Sequence, residues 1–278
     1  MSLGILTNVA ATYAENNLNQ TQGSLQNVLQ QLSSGSRINS GADDAAGLSV
    51  ADGLRANEAA LTQSAQNAQN GVGLLQTADG ALSQVTNLLD RATTLATEAS
   101  NGGLTAAQST AADTEFQSII TEIGNIGGKT NFNSTGVFSA VATNFVVTDG
   151  TTAGTTTIAT TTGALSSTSI GGVTFAPATD TLTTAALAKT TLTDITNAIS
   201  GISAQRGTLG AGINQLNAAA NVASSEEVNL SSAESSIRST NYGQATSDLA
   251  KFQVLSQTGI SALAQANSVQ QEILKLLQ

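Results

Sequence analysis

LRANEAALTQSAQNAQNGVGLLQTADGALSQVTNLLDRATTLA, residues 54–96, places Leu54, Leu61, Ala68, Leu75, Leu82, Leu89 and Ala96 at every seventh position. A second row follows at Ala78, Val85, Ala92 and Ala99. Apolar residues at three- and four-residue steps with a seven-residue return are the seam of a left-handed coiled coil. At helical rise the seam is roughly 60 Å long. A lone helix cannot bury such a stripe, so the pattern demands a partner.

The same chain supplies one. Ile195, Ile202, Leu209, Leu216, Ala223, Leu230 and Ile237 repeat the spacing, with Leu192, Ile199, Ile213 and Ala220 beside them. Two seams of equal length, separated by a stretch of different texture, pack most simply as an antiparallel pair. Between them, Thr105 and Gln108 form a capping-box signature after Asn101-Gly102-Gly103. Phe116, Ile119, Ile120, Ile123 and Ile126 then give a third helix one apolar face, with Gly127-Gly128 expected to end it. That helix should fold back on the first seam as a hairpin.

The segment 141–189 reads as small, β-rich and surface-exposed. Phe145–Thr148 and Thr155–Ile158 flank an Asp149-Gly150 turn signal, and Ile170–Phe175 is a further candidate strand. At the ends lie two thinner helices. The N-terminal one, about Leu3 to Ser34, carries Leu18, Leu25 and Leu32 at heptad spacing. The C-terminal one, from Tyr242 to Leu277, shows Phe252, Ile260, Leu263, Ile273, Leu274 and Leu277, an apolar surface expected to stay uncovered within the subunit. Uncovered apolar area of this kind implies association with other subunits. The expected fold is mainly α: a long antiparallel helical coiled-coil bundle built from the N- and C-terminal arms around a small β insertion. The expected layers are 1–44 with 238–278 (terminal coiled coil), 45–140 with 190–237 (helical bundle), and the insertion.

Composition narrows the function. Aromatics are 3% of the 278 residues, so narrow aliphatic interfaces suit this chain better than a thick globular interior. The net charge is −10 with the nine cations scattered singly from Arg37 to Lys275, which argues against nucleic acid as a partner. There is no Cys and no His, so thiolate and imidazole metal sites, His-dependent triads and H-E-x-x-H peptidase chemistry are all unavailable. No cofactor and no enzymatic activity are expected. The first fourteen residues lack the basic n-region and unbroken apolar core of a Sec signal, and no run has membrane-span length.

Leu32-Ser33-Ser34-Gly35-Ser36-Arg37-Ile38-Asn39-Ser40 followed by Asp43-Asp44-Ala45-Ala46-Gly47 closely resembles the N-terminal signature of bacterial flagellin. Asn16-Asn17-Leu18-Asn19 and Thr130-Asn131-Phe132-Asn133 are similar to it as well. At the other end, Gly259-Ile260-Ser261-Ala262-Leu263-Ala264-Gln265-Ala266-Asn267 and Ile273-Leu274-Lys275-Leu276-Leu277 resemble the C-terminal signature. The likeness covers roughly 1–140 and 190–278. The chain departs from the family at Gln270, where a Pro is usual, and at Arg238-Ser239-Thr240-Asn241 in place of an acidic run before Tyr242.

The resemblance implies a structural subunit that self-assembles into the filament of the bacterial flagellum for motility. Its terminal helices are then expected to fold into inter-subunit coiled coils on polymerisation. It also implies a homo-oligomer of many copies, extracellular after export by the flagellar type III apparatus, with an export chaperone and a cap protein as further partners. Leu18, Leu25, Leu32, Phe252, Ile260, Leu263, Ile273, Leu274 and Leu277 become assembly residues. Leu54, Leu61, Leu75, Leu82, Leu89, Ile195, Ile202, Leu209, Leu216, Leu230 and Ile237 become the intramolecular seam. By motif position, Arg91, Leu95 and Glu115 match a surface that a Toll-like receptor reads in some flagellins. The other reading, inter-subunit contact, is preferred because assembly needs that surface whatever the host. A hook–filament junction protein of the same family and a surface adhesin or immune ligand are the alternatives.

Overall fold

Among the described residues there are five helices: α1 (Val9–Ser34), α2 (Ala45–Ser100), α3 (Ala106–Lys129), α4 (Ala185–Arg238) and α5 (Tyr242–Leu276). The structure is a computed structural model that describes residues 8–151 and 154–276, with side chains as far as residue 272. The expected start of α1 near Leu3 and the positions of Ile273, Leu274 and Leu277 as assembly residues lie outside those described residues or side chains. Among the described residues between α3 and α4 lie six short strands: β1 (Asn131–Phe132), β2 (Thr135–Gly136), β3 (Thr143–Val147), β4 (Thr156–Thr160), β5 (Ser169–Ile170) and β6 (Val173–Thr174). They pair as three separate antiparallel hairpins. The mainly helical fold with a small β insertion is therefore what the sequence predicts.

The chain divides into two compact units: residues 1–56 with 229–278, and residues 57–228. In the second unit the middles of α2 and α4 run antiparallel. Gly71 sits against Leu216, Leu75 against Gly212, and Asp79 bonds Arg206, so positions rise on one helix as they fall on the other. Leu75, Leu82 and Leu89 of α2 and Ile195, Ile202, Leu209 and Leu216 of α4 share one core and are wholly inaccessible to solvent. Each such side chain contributes about 1.5–3 kcal/mol by leaving water. Phe116, Ile120 and Ile123 bring α3 into the same core. Its start is a true capping box: Thr105 Oγ1 accepts from the Gln108 amide, and Gln108 Oε1 accepts from the Thr105 amide.

Three local expectations are corrected. Gly127-Gly128 does not end α3, which runs to Lys129, because Gly127 lies directly under the Leu165 carbonyl and is there for close approach. Ile170–Phe175 is not one strand. Gly171 and Gly172 have φ of 58° and 81°, and this doubly left-handed pair folds Ile170 back onto Val173. Nor is 141–189 surface chain throughout: Leu165, Ile170, Phe175 and Leu182 are buried in the helical core. The reason lies in the helices. Gly124, Gly127 and Gly201 leave no Cβ where Ser167, Leu165 and Gly171 come down, so the insertion's backbone reaches helix-surface distance and its apolar side chains fill the gap.

In the first unit, α1 and α5 lie antiparallel, with Leu18 packed on Gly259 and Asn8 Nδ2 donating to the Ala266 carbonyl at 2.9 Å. The α2 start is capped by Asp44, whose Oδ1 accepts from the Gly47 amide at 2.8 Å. Asp43 has a different job: its Oδ2 accepts from the Asn39 and Ser40 amides at 3.1 and 2.9 Å and from Ser40 Oγ at 3.0 Å, closing the connector. Those donors hold the Asp43 carboxyl below its ordinary pKa.

Candidate interaction surfaces

The terminal helices keep little of their apolar area from solvent. Among the described residues of α1 only Ala11 and Val28 are buried, while Leu18, Leu25 and Leu32 are half-buried along the line where α5 lies. On α5, Phe252 and Leu263 are half-buried, but Ile260 is 49% exposed. Val254, Leu255 and Val269 extend that exposed face, and Val9, Tyr13 and Leu29 do the same on α1. Between Leu18 and Phe252 an open groove of about 510 Å³ remains. Two helices in contact along one stripe leave the rest of each apolar face open. An open apolar face of this kind marks an interaction surface.

The two connectors that carry the chain into and out of this pair are stitched together. The Arg37 amide donates to the Arg238 carbonyl at 2.6 Å, the Thr240 amide to the Gly35 carbonyl at 3.0 Å, and Ser36 pairs antiparallel with Ser239. Arg37 Nη2 also donates to the Ile237 carbonyl at 2.9 Å, placing a cation on an otherwise open carbonyl near the α4 C-terminus. Gly35 ends α1 at φ 70°, which favours glycine. Ile38, at 1% exposure, is the buried anchor of this connector, and heptad reasoning missed it because it lies outside any helix.

The seam residues divide by position. Leu61, Leu75, Leu82, Leu89, Ile195, Ile202, Leu209 and Leu216 are buried; Leu54, Leu230 and Ile237, which fall in the other unit, are half-buried.

Arg91 and Glu115 meet across the α2–α3 hairpin, Nε to Oε1 at 2.8 Å, with both side chains about half exposed. The hydrogen bond to Arg91 lowers the Glu115 pKa, and the same bond raises that of Arg91. Leu95 does not share their surface. At 4% exposure it sits in the core, three residues after Ala92 and four before Ala99 on the seam itself. The motif position therefore gives a surface pair, not a surface triad.

Among the described residues, no cluster of three or more potential metal ligands occurs, and no helix is long and apolar enough to cross a membrane.

Residues 5–143 match the family model of the bacterial flagellin N-terminal helical region, and residues 192–277 that of the bacterial flagellin C-terminal helical region. A flagellin of Listeria innocua is 28% identical over 291 aligned positions, covering 98% of each chain. Flagellin 1 of Proteus mirabilis is 38% identical over 151 residues, a stretch covering 54% of this chain and 41% of that protein, so the match spans less than half of its length. Among solved structures, the crystal structure of Bacillus cereus flagellin is similar at 31% identity and TM-score 0.46, covering 56% of this chain and 88% of that one.

Proposed function

Because the chain belongs to the bacterial flagellin family, we propose that it is the structural subunit of a flagellar filament, assembled from many copies of itself. The observation that carries this reading is the α1–α5 pair, whose apolar stripes are satisfied along one line and open along the rest. Neighbouring subunits close that face. Leu18, Leu25, Leu32, Phe252 and Leu263, half-buried within the subunit, and the exposed Ile260 then complete their burial against neighbouring subunits as an inter-subunit coiled coil, and polymerisation draws the terminal helices into their final packing by mass action. Residues 1–44 with 238–278 form the inner layer of the filament, and 45–140 with 190–237 the layer around it.

The subunit acts outside the cell, reached through the flagellar export apparatus with a chaperone on the inside and a cap at the growing tip. The family is structural, and without His or Cys the chain has no imidazole- or thiolate-based chemistry. Arg91 and Glu115 serve contact between subunits, on a surface that a Toll-like receptor reads in some flagellins.

Electron micrographs of the purified protein after warming or salting-out test the proposal. Filaments from the full chain and none from a chain lacking residues 1–40 are expected. Monomers from both would overturn it.

A further inference from the structure

The sequence contains two Asn-Gly pairs, Asn70-Gly71 and Asn101-Gly102. Both asparagine side chains are exposed, so solvent access does not distinguish them. Their backbones do. Asn70-Gly71 lies in the middle of α2, with Gly71 pressed against Leu216 and Phe145. Asn101-Gly102 forms the turn after α2, where the Asn101 amide donates to the Glu98 carbonyl at 3.3 Å and Gly102 adopts φ 67°. Among the described residues, the Gly102 amide meets no acceptor.

We propose that Asn101-Gly102 is a site of spontaneous deamidation through a succinimide, and that the helix keeps Asn70-Gly71 inert to the same reaction. In the first step the Gly102 amide nitrogen gives up its proton to solvent base and attacks Asn101 Cγ. A C–N bond closes the five-membered imide while the Cγ–Nδ2 bond breaks, and the amine leaves as ammonia after taking up a proton. Water then adds to one of the two imide carbonyls. Ring opening gives aspartate or isoaspartate, whose carboxyl releases a proton. Nothing is oxidised or reduced.

The attack needs a free amide nitrogen and an asparagine ψ outside the helical well. The Gly102 amide, outside the helix ladder and with no Cβ beside it to crowd the nucleophile, supplies the first; past the end of α2 no ladder holds the Asn101 carbonyl, so ψ can rotate to supply the second. At Gly71 the amide is committed to the helix ladder, and reaction there waits on a local opening in the middle of a packed helix. The product has a definite consequence. A new carboxylate sits at the C-terminal end of α2, where the helix dipole disfavours it, and isoaspartate adds a backbone methylene to the α2–α3 hairpin.

The test is peptide mapping by mass spectrometry, with isoaspartate detection, after incubating the full-length folded protein in warm, mildly alkaline buffer. Conversion at Asn101 should outrun conversion at Asn70 by at least about tenfold. In denaturant the two rates should converge, since both pairs then sit in open chain. Asn101→Gln should remove the product at that position and leave the circular dichroism spectrum unchanged. Equal rates at the two sites in the folded protein, or faster conversion at Asn70, would overturn the proposal. So would a rate difference that persists in denaturant.

Discussion

Arg206 on α4 grips Asp79 on α2 through two bonds, Nε to Oδ1 at 2.7 Å and Nη2 to Oδ2 at 3.4 Å. A heptad pattern returns every seven residues, so two such helices could slip by one repeat and still match apolar rows. A fixed polar pair beside the seam specifies one register. The hydrogen bond to Asp79 raises the Arg206 pKa.

The pair should nonetheless contribute little to stability. Its side chains are 38% and 39% exposed, so solvent screens the attraction. Arg206→Gln is expected to cost at most about 1 kcal/mol in urea unfolding. Asp79→Arg, which sets two guanidinium groups face to face, should cost more. A larger loss for the neutral variant than for the reversed one would contradict the register role.

Core and terminal seams should fail differently. Leu75→Ala is expected to lose about 2–5 kcal/mol, as other buried leucines do. Leu75→Asp buries a charge with no partner and should abolish cooperative melting by circular dichroism. Leu263→Asp, on the half-buried face of α5, should leave the helical spectrum and melting of residues 57–228 intact and abolish polymerisation. If both Asp variants unfolded alike, the division between a folding seam and an assembly seam would be wrong.

The helix glycines separate into two classes. Gly127→Ala drives a methyl into the Leu165 carbonyl, and overpacking of this kind costs about 1–3 kcal/mol. Proteolysis should then reach the 141–189 segment sooner than in the unaltered protein. Gly80 faces open space on α2, so Gly80→Ala should stabilise the monomer by up to about 1 kcal/mol through helix propensity alone. Thermal melts of the two variants should move in opposite directions.

Asp194 gives stability an unusual pH dependence. Burial, then the charge of Asp180 and a hydrogen bond with it, raise the Asp194 pKa. A carboxyl raised on folding binds its proton more tightly in the native state. Its contribution is therefore fully present below the unfolded value of about 3.9 and is lost as pH rises through the folded value. Asp194→Asn should be more stable than the parent near neutral pH, and the gain should vanish at about pH 4. Asp43, Asp149 and Glu115, all lowered, act in the reverse sense: their stabilisation is lost as acid protonates them. Melts across pH for Asp194→Asn and the parent check the sign; an advantage that grows in acid would refute it.

Much of the fold is legible because helices write their packing locally. The heptad rows from Leu61 to Leu89 and from Ile195 to Leu216 point inward, and the Thr105–Gln108 box starts α3. The failures have two causes. Leu95 resembled a surface residue by motif position, but its place between Ala92 and Ala99 on the seam put it inside. The insertion resembled surface chain because Thr and Ser dominate it, and its four buried anchors are spaced too irregularly for any period to reveal them.

The sequence by itself determined the long helices, their apolar stripes, the capping box at the start of α3 and the family signatures at both ends. Each of these is a relation between residues a few positions apart, fixed by helical geometry. Only the tertiary structure decided that Gly127 meets the Leu165 carbonyl, that Gly201 meets Gly171, and that Arg206 reaches Asp79. Those contacts join positions far apart in the chain, where a missing Cβ or a single charge gains meaning only from what folds against it.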